Sequence, residues 1–385
     1  MRNERNLKRI CIVAHYAYGA ITGERTGHFG GVERQVSLLA QWLVSRGYGV
    51  SLLTWGDGRP GDQDVGGIRV IKMCRRDAGV PGMRFFHPRW TSLNGAMSRA
   101  DADLYYQNCA EYVTGQVALW CKAKGRRFVY SVASDPDCEP SLPKMETLRE
   151  RVLYRYGLLR ADRVIVQTRK QQKMMKDGFG VDARILPMAC PAPPEARMKA
   201  ANAEGSRKFR ILWVGRISRI KRPEMILDIA RMIPDVSFEI VGAPDQEDEY
   251  SRCLHQTARN LPNVTFHGRL PRDRMPDMFQ SASLLCCTSA WEGFPNTFLE
   301  AWSYGLPVVS TVDPDGLIGT EGLGAVIGDP ASARSAIEKL RRDVEFRKSI
   351  SENAWRYYLE NHTLETVMPK YERTFIEVVR KGERT

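Results

Sequence analysis

The fold is decided by the stretch Val32–Trp55, VERQVSLLAQWLVSRGYGVSLLTW, and by the apolar run that precedes it, Arg9–His15, RICIVAH. Apolar residues recur at helical spacing through Val32–Arg46, whereas Arg9–His15 and Val50–Trp55 are short apolar runs typical of buried strands. A strand, an amphipathic helix and a second strand in this order form the repeating unit of a parallel sheet. The stretch therefore predicts an α/β domain.

The same alternation continues to about residue 190. Further strands are predicted at Ile68–Met73, Asp103–Gln107, Arg127–Val132 and Arg163–Gln167, and further helices at Tyr112–Lys124 and Lys144–Leu159. Such alternation builds a parallel sheet covered by helices on both faces. We therefore expect residues 1–190 to form one doubly wound, Rossmann-like domain.

The pattern stops at residues 190–206, CPAPPEARMKAANAEGS, which are rich in proline and small residues and are typical of a linker. It then restarts. Strands are predicted at Arg210–Val214, Ser237–Val241, Val264–His267 and Leu284–Thr288, with helices at Pro223–Ile233, Glu247–Asn260 and Arg272–Gln280. The sequence thus predicts a linker at 191–208, a second Rossmann-like domain at 209–362 and a final helix at 363–385. Ligands of such sheets bind at the carboxyl ends of the strands, so we expect a site in a cleft between two domains.

Composition limits the class of protein. With 43% hydrophobic and 26% charged residues over 385 positions, the chain is neither disordered nor collagen-like. Its nine cysteines are scattered without a CxxC pair, which favours reduced thiols. No apolar run is long enough to span a bilayer, and no secretion signal is visible. We expect a cytoplasmic protein, and peripheral contact at the inner face of the cytoplasmic membrane stays open.

The positive charge is confined to the first half. Residues 1–190 hold 30 lysines and arginines against 18 acidic residues, which accounts for the whole net charge of +12. Such a surface attracts anionic membranes, nucleic acids or phosphorylated substrates, or it serves only solubility. Since no nucleic-acid recognition module is visible and the basic residues are not interleaved with aromatic ones, we expect no nucleic-acid partner.

The most specific segment is Ser289–Thr311, SAWEGFPNTFLEAWSYGLPVVST. Glu292 lies in a Gly/Pro loop after a strand, and Glu300 follows it within a helix predicted to begin near Pro295 and Asn296. The free amides at the start of that helix could bind a phosphate, and Glu300 could accept hydrogen bonds from paired hydroxyls such as those of a ribose. Taken alone, two glutamates are more often solvated surface charges.

The run E-G-F-P-N-T-F-L-E resembles the signature of the retaining glycosyltransferases of family 4, which have the GT-B fold. The resemblance implies transfer of a sugar from a nucleotide-diphosphate sugar to an acceptor hydroxyl, with retention of anomeric configuration. The GT-B fold that it implies also has its final helix, here 363–385, packed back on the first domain. The resemblance implies that Glu292 contacts the donor sugar and Glu300 the ribose. It also implies that backbone groups of four residues hold the sugar and diphosphate: Phe294, Pro295, Asn296 and Thr297.

A second segment, residues 211–230, ILWVGRISRIKRPEMILDIA, agrees with this resemblance. Arg216 follows a strand and Lys221 precedes a helix, where a guanidinium and an ammonium can neutralise a diphosphate leaving group. The family uses such a pair in this role. Arg222 is adjacent to Lys221, and we assign the role to Lys221.

Two further elements resemble parts of the family's donor and acceptor sites. The segment NVTFHGRLPRDRM, residues 263–275, resembles the loop that receives the nucleotide base, with Gly268 and Arg269 at a strand end. Gly30 and Gly31, with His28 as a polar neighbour, resemble the glycine loop that faces the donor phosphate and the acceptor. A glycine pair at a strand-to-helix turn is otherwise only a tight turn.

The chain departs from the family in the segment RRFVYSVASDPDCEP, residues 126–140. Many members have a histidine at the end of this strand that helps to bind the donor sugar, and this chain has none. Ser134 and Asp135 occupy the equivalent neighbourhood, or Ala133 if the alignment shifts by one residue. We predict that Ser134 and Asp135 bind substrate.

The resemblance implies no metal and no cofactor beyond the nucleotide-sugar donor, and Asp-x-Asp pairs occur too often here to be informative. The basic first half suggests a glycan or lipid-linked acceptor at an anionic membrane, such as an intermediate of bacterial envelope or exopolysaccharide synthesis. Three alternatives stay open: a non-catalytic glycosyltransferase-like partner, a sugar-nucleotide epimerase or phosphorylase-like enzyme on the same fold, and a basic nucleic-acid-binding protein.

Overall fold

A computed structural model describes residues 7–23, 30–56, 61–193, 208–244 and 246–381. His28 and most of the predicted linker lie outside these ranges. Contacts divide the chain into two units, which we call unit 1, Met1–Ala189 with Val367–Thr385, and unit 2, Cys190–Thr366.

Unit 1 is built on an eight-stranded sheet. Its strands are β1 Arg9–Val13, β2 Gly49–Gly56, β3 Gln63–Val65, β4 Ile68–Arg75, β5 Leu104–Asn108, β6 Arg127–Ser131, β7 Arg163–Val166 and β8 Arg184–Ile185. Their order is β3-β4-β2-β1-β5-β6-β7-β8, and all neighbours are parallel except β3 and β4. The parallel sheet predicted from the apolar runs is confirmed.

The helices of unit 1 connect these strands. They are α1 Tyr18–Thr22, α2 Gly31–Ser45, α3 Thr91–Ala100, α4 Val113–Lys124, α5 Leu148–Arg160 and α6 Arg169–Phe179, with short helical segments at Phe85–Trp90 and Asp135–Cys138. Helix α5 begins four residues later than predicted because Thr147 caps it: the Thr147 hydroxyl accepts from the Glu150 amide, and the Glu150 carboxylate accepts from the Thr147 amide.

Unit 2 is built on a six-stranded, wholly parallel sheet. Its strands are β9 Arg210–Val214, β10 Ser237–Val241, β11 Val264–Gly268, β12 Leu284–Cys287, β13 Val308–Ser310 and β14 Gly324–Val326, in the order β11-β10-β9-β12-β13-β14. Its helices are α7 Pro223–Met232, α8 Glu249–Arg259, α9 Met275–Ser281, α10 Asn296–Trp302, α11 Leu317–Thr320, α12 Pro330–Arg342 and α13 Val344–Asn361. One-turn 3₁₀ segments lie at Arg272–Arg274 and Pro314–Gly316.

The last helix, α14 Leu364–Lys381, enters unit 1 at Val367. The Tyr48 hydroxyl donates to Glu372 (2.7 Å), and the Phe375 ring packs 5.6 Å from that of Tyr106. None of the helices in the described ranges is long and apolar enough to cross a membrane.

Each sheet has one point where the strand order reverses. In unit 1 it lies between β1 and β5, and in unit 2 between β9 and β12. The loops that leave the carboxyl ends of such strands diverge and form a crevice, which is where open α/β sheets bind ligands. The fold therefore directs attention to these two edges.

Candidate functional site

Backbone segments pack closely together at the carboxyl edge of the unit 2 sheet. The Gly242 amide donates to the Gly268 carbonyl (2.9 Å), and the Gly215 amide donates to the Val241 carbonyl (3.1 Å). A Cβ atom at Gly242, whose φ is +157°, would lie 1.8 Å from the Gly215 carbonyl oxygen. Glycine is therefore required at 242, and it lets the end of β10 support the loop that carries Arg216.

Lys221 and Glu292 meet at this edge, although they are 71 residues apart in sequence. The Lys221 ammonium donates to Glu292 Oε1, and the Ser289 hydroxyl donates to the same oxygen (2.6 Å). The Lys221 and Glu292 side chains are 28% and 16% exposed, so the pair is partly shielded but open to a ligand. Burial, with a smaller contribution from the Glu292 carboxylate, raises the pKa of the nearby Cys287 thiol.

Thr288 fixes the loop that carries Lys221. Its hydroxyl lies 2.8 Å from the Lys221 carbonyl, to which it can donate, and it accepts from the Trp213 indole (2.9 Å). The Arg222 guanidinium donates instead to the Thr288 carbonyl (2.7 Å). Of the two adjacent basic residues, Lys221 presents its charge to Glu292, whereas Arg222 holds the backbone.

Arg216 and Arg269 lie at the same edge, after β9 and β11, which have β10 between them. Arg216 is exposed in the loop after β9, and the next residue, Ile217, anchors that loop through its amide to the Ala243 carbonyl (3.1 Å). Arg269 is exposed after Gly268, which ends β11 with a φ of +65°. Their roles toward diphosphate and base stay predictions.

Glu300 is almost buried in α10, with a side chain 6% exposed, and it accepts a hydrogen bond from the Arg272 guanidinium. A buried carboxylate needs such a partner because desolvation disfavours an isolated charge. Arg272 lies 28 residues before Glu300 and is itself 56% exposed. A ribose that binds Glu300 must therefore share the carboxylate with Arg272.

The start of α10 offers backbone rather than side chains. Phe294 packs its ring against Trp302 (6.1 Å between centroids) and His362 (5.4 Å). Pro295 precedes the first helical residue and provides no side-chain cap. Asn296 and Thr297 follow, both half-buried. This placement is compatible with the prediction that these residues hold a ligand through backbone groups, which stays a prediction.

In unit 1, Ser134 and Asp135 are both engaged by protein groups. The Ser134 hydroxyl donates to Asp137 Oδ1 (3.0 Å), and the Lys144 ammonium donates to both Ser134 and Asp137. Asp135 accepts from Lys170 (2.6 Å) and from Gln171 (3.1 Å). Substrate binding by Ser134 and Asp135 stays a prediction, and it would require each to exchange or share these partners.

Gly30 precedes α2, and Gly31 is the first residue of that helix. The Gly30 amide donates to the Glu33 carboxylate (3.0 Å), and a Cβ atom at Gly30 would lie 2.6 Å from the same oxygen. Glycine at position 30 therefore makes room for Glu33. Whether Gly30 and Gly31 also face a ligand stays a prediction.

We expect Asp137→Asn to lower the free energy of unfolding by about 1–3 kcal/mol, because two backbone amides and the Ser134 hydroxyl would lose a charged acceptor. Urea denaturation followed by circular dichroism measures this. Asp177→Asn, which alters an exposed pair with Lys173, is the control and should shift the midpoint little. Equal shifts in the two variants would contradict a structural role for Asp137.

The sequence reasoning missed Ser289 and Arg272 as partners of the two glutamates. Both lie inside segments quoted above, but only the fold shows what they contact. Among the described residues, no group of three or more His, Cys, Asp or Glu side chains is close enough together to hold a metal ion.

Two family descriptions match the chain. Residues 30–191 match the glycosyl transferase 4-like domain, and residues 195–357 match the glycosyl transferases group 1. This chain belongs to the group 1 glycosyltransferases. The GT-B fold of this glycosyltransferase, predicted from the sequence, is confirmed.

Known relatives are distant. The D-inositol 3-phosphate glycosyltransferase of Mycolicibacterium vanbaalenii is 28% identical over 171 residues, which are 39% of this chain and 38% of that protein. Such matches span between about two fifths and three fifths of the curated relatives' length. Sucrose-phosphate synthase from Thermosynechococcus elongatus superimposes with a TM-score of 0.79 at 18% identity, covering 97% of this chain and 100% of that one. WaaG, a glycosyltransferase involved in lipopolysaccharide biosynthesis, superimposes with a TM-score of 0.65 at 17% identity, covering 94% of this chain and 98% of that one. At these identities the structures show the fold alone.

Proposed function

We propose that this glycosyltransferase binds a nucleotide-diphosphate sugar at the carboxyl edge of the unit 2 sheet and transfers its hexose to an acceptor hydroxyl with retention of configuration. The contact between Lys221 and Glu292, at the point where the strand order reverses, carries the proposal. It joins a cation suited to a diphosphate with a carboxylate suited to sugar hydroxyls.

In this proposal, Lys221 and Arg216 stabilise the charge that develops on the departing diphosphate, which is the main electrostatic demand of the reaction. Glu292 accepts hydrogen bonds from the donor sugar, held in place by Ser289. Because positive side chains balance the diphosphate, the reaction needs no metal ion. The acceptor hydroxyl attacks the anomeric carbon from the leaving-group side and gives its proton to an oxygen of the departing diphosphate, and we assign no protein nucleophile.

For the acceptor we propose a glycan or lipid-linked intermediate of bacterial envelope or exopolysaccharide synthesis, met at the inner face of the cytoplasmic membrane, and no nucleic acid. The basic first half of the chain supports this proposal. So does the similarity to WaaG, which acts in lipopolysaccharide biosynthesis.

A binding screen of UDP-, GDP- and ADP-sugars without added metal and with EDTA tests the donor proposal. We expect one nucleotide to bind the wild type selectively and the Glu300→Ala variant more weakly, and the product anomer, read by NMR, to match that of the donor. Absence of binding to a folded wild type would contradict the donor site. Binding with no transfer to any acceptor tried would favour the non-catalytic partner.

Helix α5 supports the membrane contact. It exposes Leu148 (77%), Val152 (57%) and Leu159 (59%), and its sequence LRERVLYRYGLLR interleaves these with arginines. Exposed apolar and basic side chains together bind anionic bilayer surfaces.

We expect Leu148→Ser/Val152→Ser to weaken binding to anionic vesicles roughly 30-fold, because about 1 kcal/mol of apolar burial is lost for each residue, about 2 kcal/mol for the two. Sedimentation with phosphatidylglycerol vesicles at rising salt measures this. Val344→Ser/Leu359→Ser, at exposed apolar positions of unit 2, is the matched control. Equal binding to neutral and anionic vesicles without salt dependence, or equal losses in both variants, would count against this surface.

A further inference from the structure

Unit 1 contains an open cavity of about 650 Å³ that the proposed donor site does not use. The described residues that line it are Gly56, Arg75, Arg76, Asp77, Arg84 and Arg89. The lining therefore includes four arginines and one aspartate. A smaller cavity of about 190 Å³ shares Arg76 and Arg89 with it and is otherwise lined by His15, Tyr16, Trp55, Glu111 and Tyr112.

These cavities lie at the carboxyl edge of the unit 1 sheet. Tyr16 follows β1, Gly56 ends β2, Arg75 ends β4 and Glu111 follows β5, and these four strands are parallel neighbours. The edge includes the point between β1 and β5 where the strand order reverses. This is the position at which an open α/β sheet binds a ligand.

Three of the four guanidinium groups have no direct ion pair with a carboxylate of the described residues. Arg75 is neutralised by Asp77, with hydrogen bonds of 3.0 and 2.8 Å. Arg76 lies over the Tyr16 ring (5.5 Å), and Arg89 donates to the Arg76 carbonyl (2.8 Å). Like charges held together in this way repel one another, and they raise the local concentration of anions.

Buried polar atoms without a hydrogen-bond partner in the described part of the chain concentrate at the same place. The Nε atoms of Arg84 and Arg89 are buried and have no hydrogen-bond partner in the described part of the chain. The same holds for Trp55 Nε1 and for His15 Nε2, which line the smaller cavity. Leaving such groups unpaired costs free energy, so their concentration around two neighbouring cavities favours a ligand that accepts hydrogen bonds there.

The chemistry favours a phosphate over a carboxylate. Each guanidinium offers a planar fork of donors that matches two oxygens of a phosphate. A phosphate monoester or a diphosphate carries up to two negative charges and several acceptor oxygens, whereas a carboxylate carries one charge and two oxygens. Three guanidinium groups without a carboxylate partner therefore match the charge of a phosphate monoester or diphosphate better than that of a carboxylate.

We propose that Arg76, Arg84 and Arg89, with Arg75, form a binding site for a phosphate group carried by the acceptor. The part of the proposal that names the acceptor rests on the proposed function. The part that names a phosphate site in unit 1 does not, because it concerns residues outside the donor site.

The experiment titrates inorganic pyrophosphate, and in parallel acetate, into the full-length protein by calorimetry, with the donor site saturated by the nucleoside diphosphate that binds best. The variant is Arg84→Gln/Arg89→Gln. The control is Lys122→Gln/Lys124→Gln, which removes the same charge from exposed positions of unit 1 outside both cavities and outside helix α5. Melting curves verify that both variants are folded.

We expect saturable binding of pyrophosphate that the Arg84/Arg89 variant weakens at least tenfold and the control no more than about twofold, with acetate binding far more weakly. No pyrophosphate binding by the wild type, or equal losses in both variants, would overturn the site. If the protein binds pyrophosphate at this site but binds no nucleoside diphosphate, only the proposal of the donor site is contradicted.

A second arm separates an acceptor phosphate from a lipid headgroup. Vesicles of phosphatidic acid in phosphatidylcholine are offered at the same phosphate concentration, with and without pyrophosphate. We expect the Arg84/Arg89 variant to bind vesicles as the control does. Loss of vesicle binding confined to that variant would assign the arginines to the headgroup and overturn the acceptor proposal.

Discussion

Lys221→Ala is expected to lower kcat about 10²–10³-fold, which is the loss seen when one preorganised electrostatic group is removed from a transition state. The structure gives the reason for choosing this residue over its neighbour. The Lys221 ammonium donates to Glu292, whereas the Arg222 guanidinium donates to the Thr288 carbonyl. Initial rates of sugar transfer, with the donor found in the binding screen, measure the effect.

Lys348→Ala is the matched control, because it removes the same side chain from an exposed position on α13 of the same unit. It should keep the wild-type rate. Melting curves separate a loss of activity from a loss of folding, since Glu292 keeps its hydrogen bond from Ser289 in the Lys221 variant. A folded Lys221→Ala variant with near-wild-type kcat would contradict the role that we assign to Lys221.

Much of the architecture could be predicted from local pattern. The predicted strand bounds Arg210–Val214 and Ser237–Val241 are identical to those of β9 and β10, because buried parallel strands are continuous apolar runs between turns. Helices α3 and α6 were not predicted. Helix α6 buries only Gln171 and Met175, so its sequence contains too few apolar residues to mark a helix clearly.

Only part of the candidate site could be predicted from the sequence. The motif that contains Glu292 and Glu300 is contiguous, so sequence could find it. Arg272 reaches Glu300 only because the segment between β11 and α9 comes close to α10 in the folded unit. Contacts of this kind depend on tertiary packing, and no spacing rule in a single sequence encodes them. The arginines of the unit 1 cavity are a second case, since only the total basic charge of that half was visible.

The carboxylate of Glu300 is expected to discriminate between a ribose and a 2′-deoxyribose. If Glu300 accepts hydrogen bonds from both ribose hydroxyls, the wild type should bind the 2′-deoxy nucleotide about 10–100-fold more weakly, because each hydrogen bond to a charged group contributes about 1.5–3 kcal/mol. Glu300→Gln keeps the shape and removes the charge. It should weaken binding of the ribonucleotide by a similar factor and bind the two nucleotides within about threefold of each other.

The comparison of two nucleotides isolates the ribose contact from the ion pair with Arg272, because that pair is present or weakened equally for both ligands. Calorimetric titration of the ribonucleoside diphosphate and its 2′-deoxy counterpart gives the four affinities. Glu338→Gln on α12 is the control, since Glu338 also accepts from an arginine, Arg334 (3.0 Å), but lies outside the site. An unchanged ribose preference in Glu300→Gln would leave Glu300 as a structural partner of Arg272 and move the ribose elsewhere along this edge.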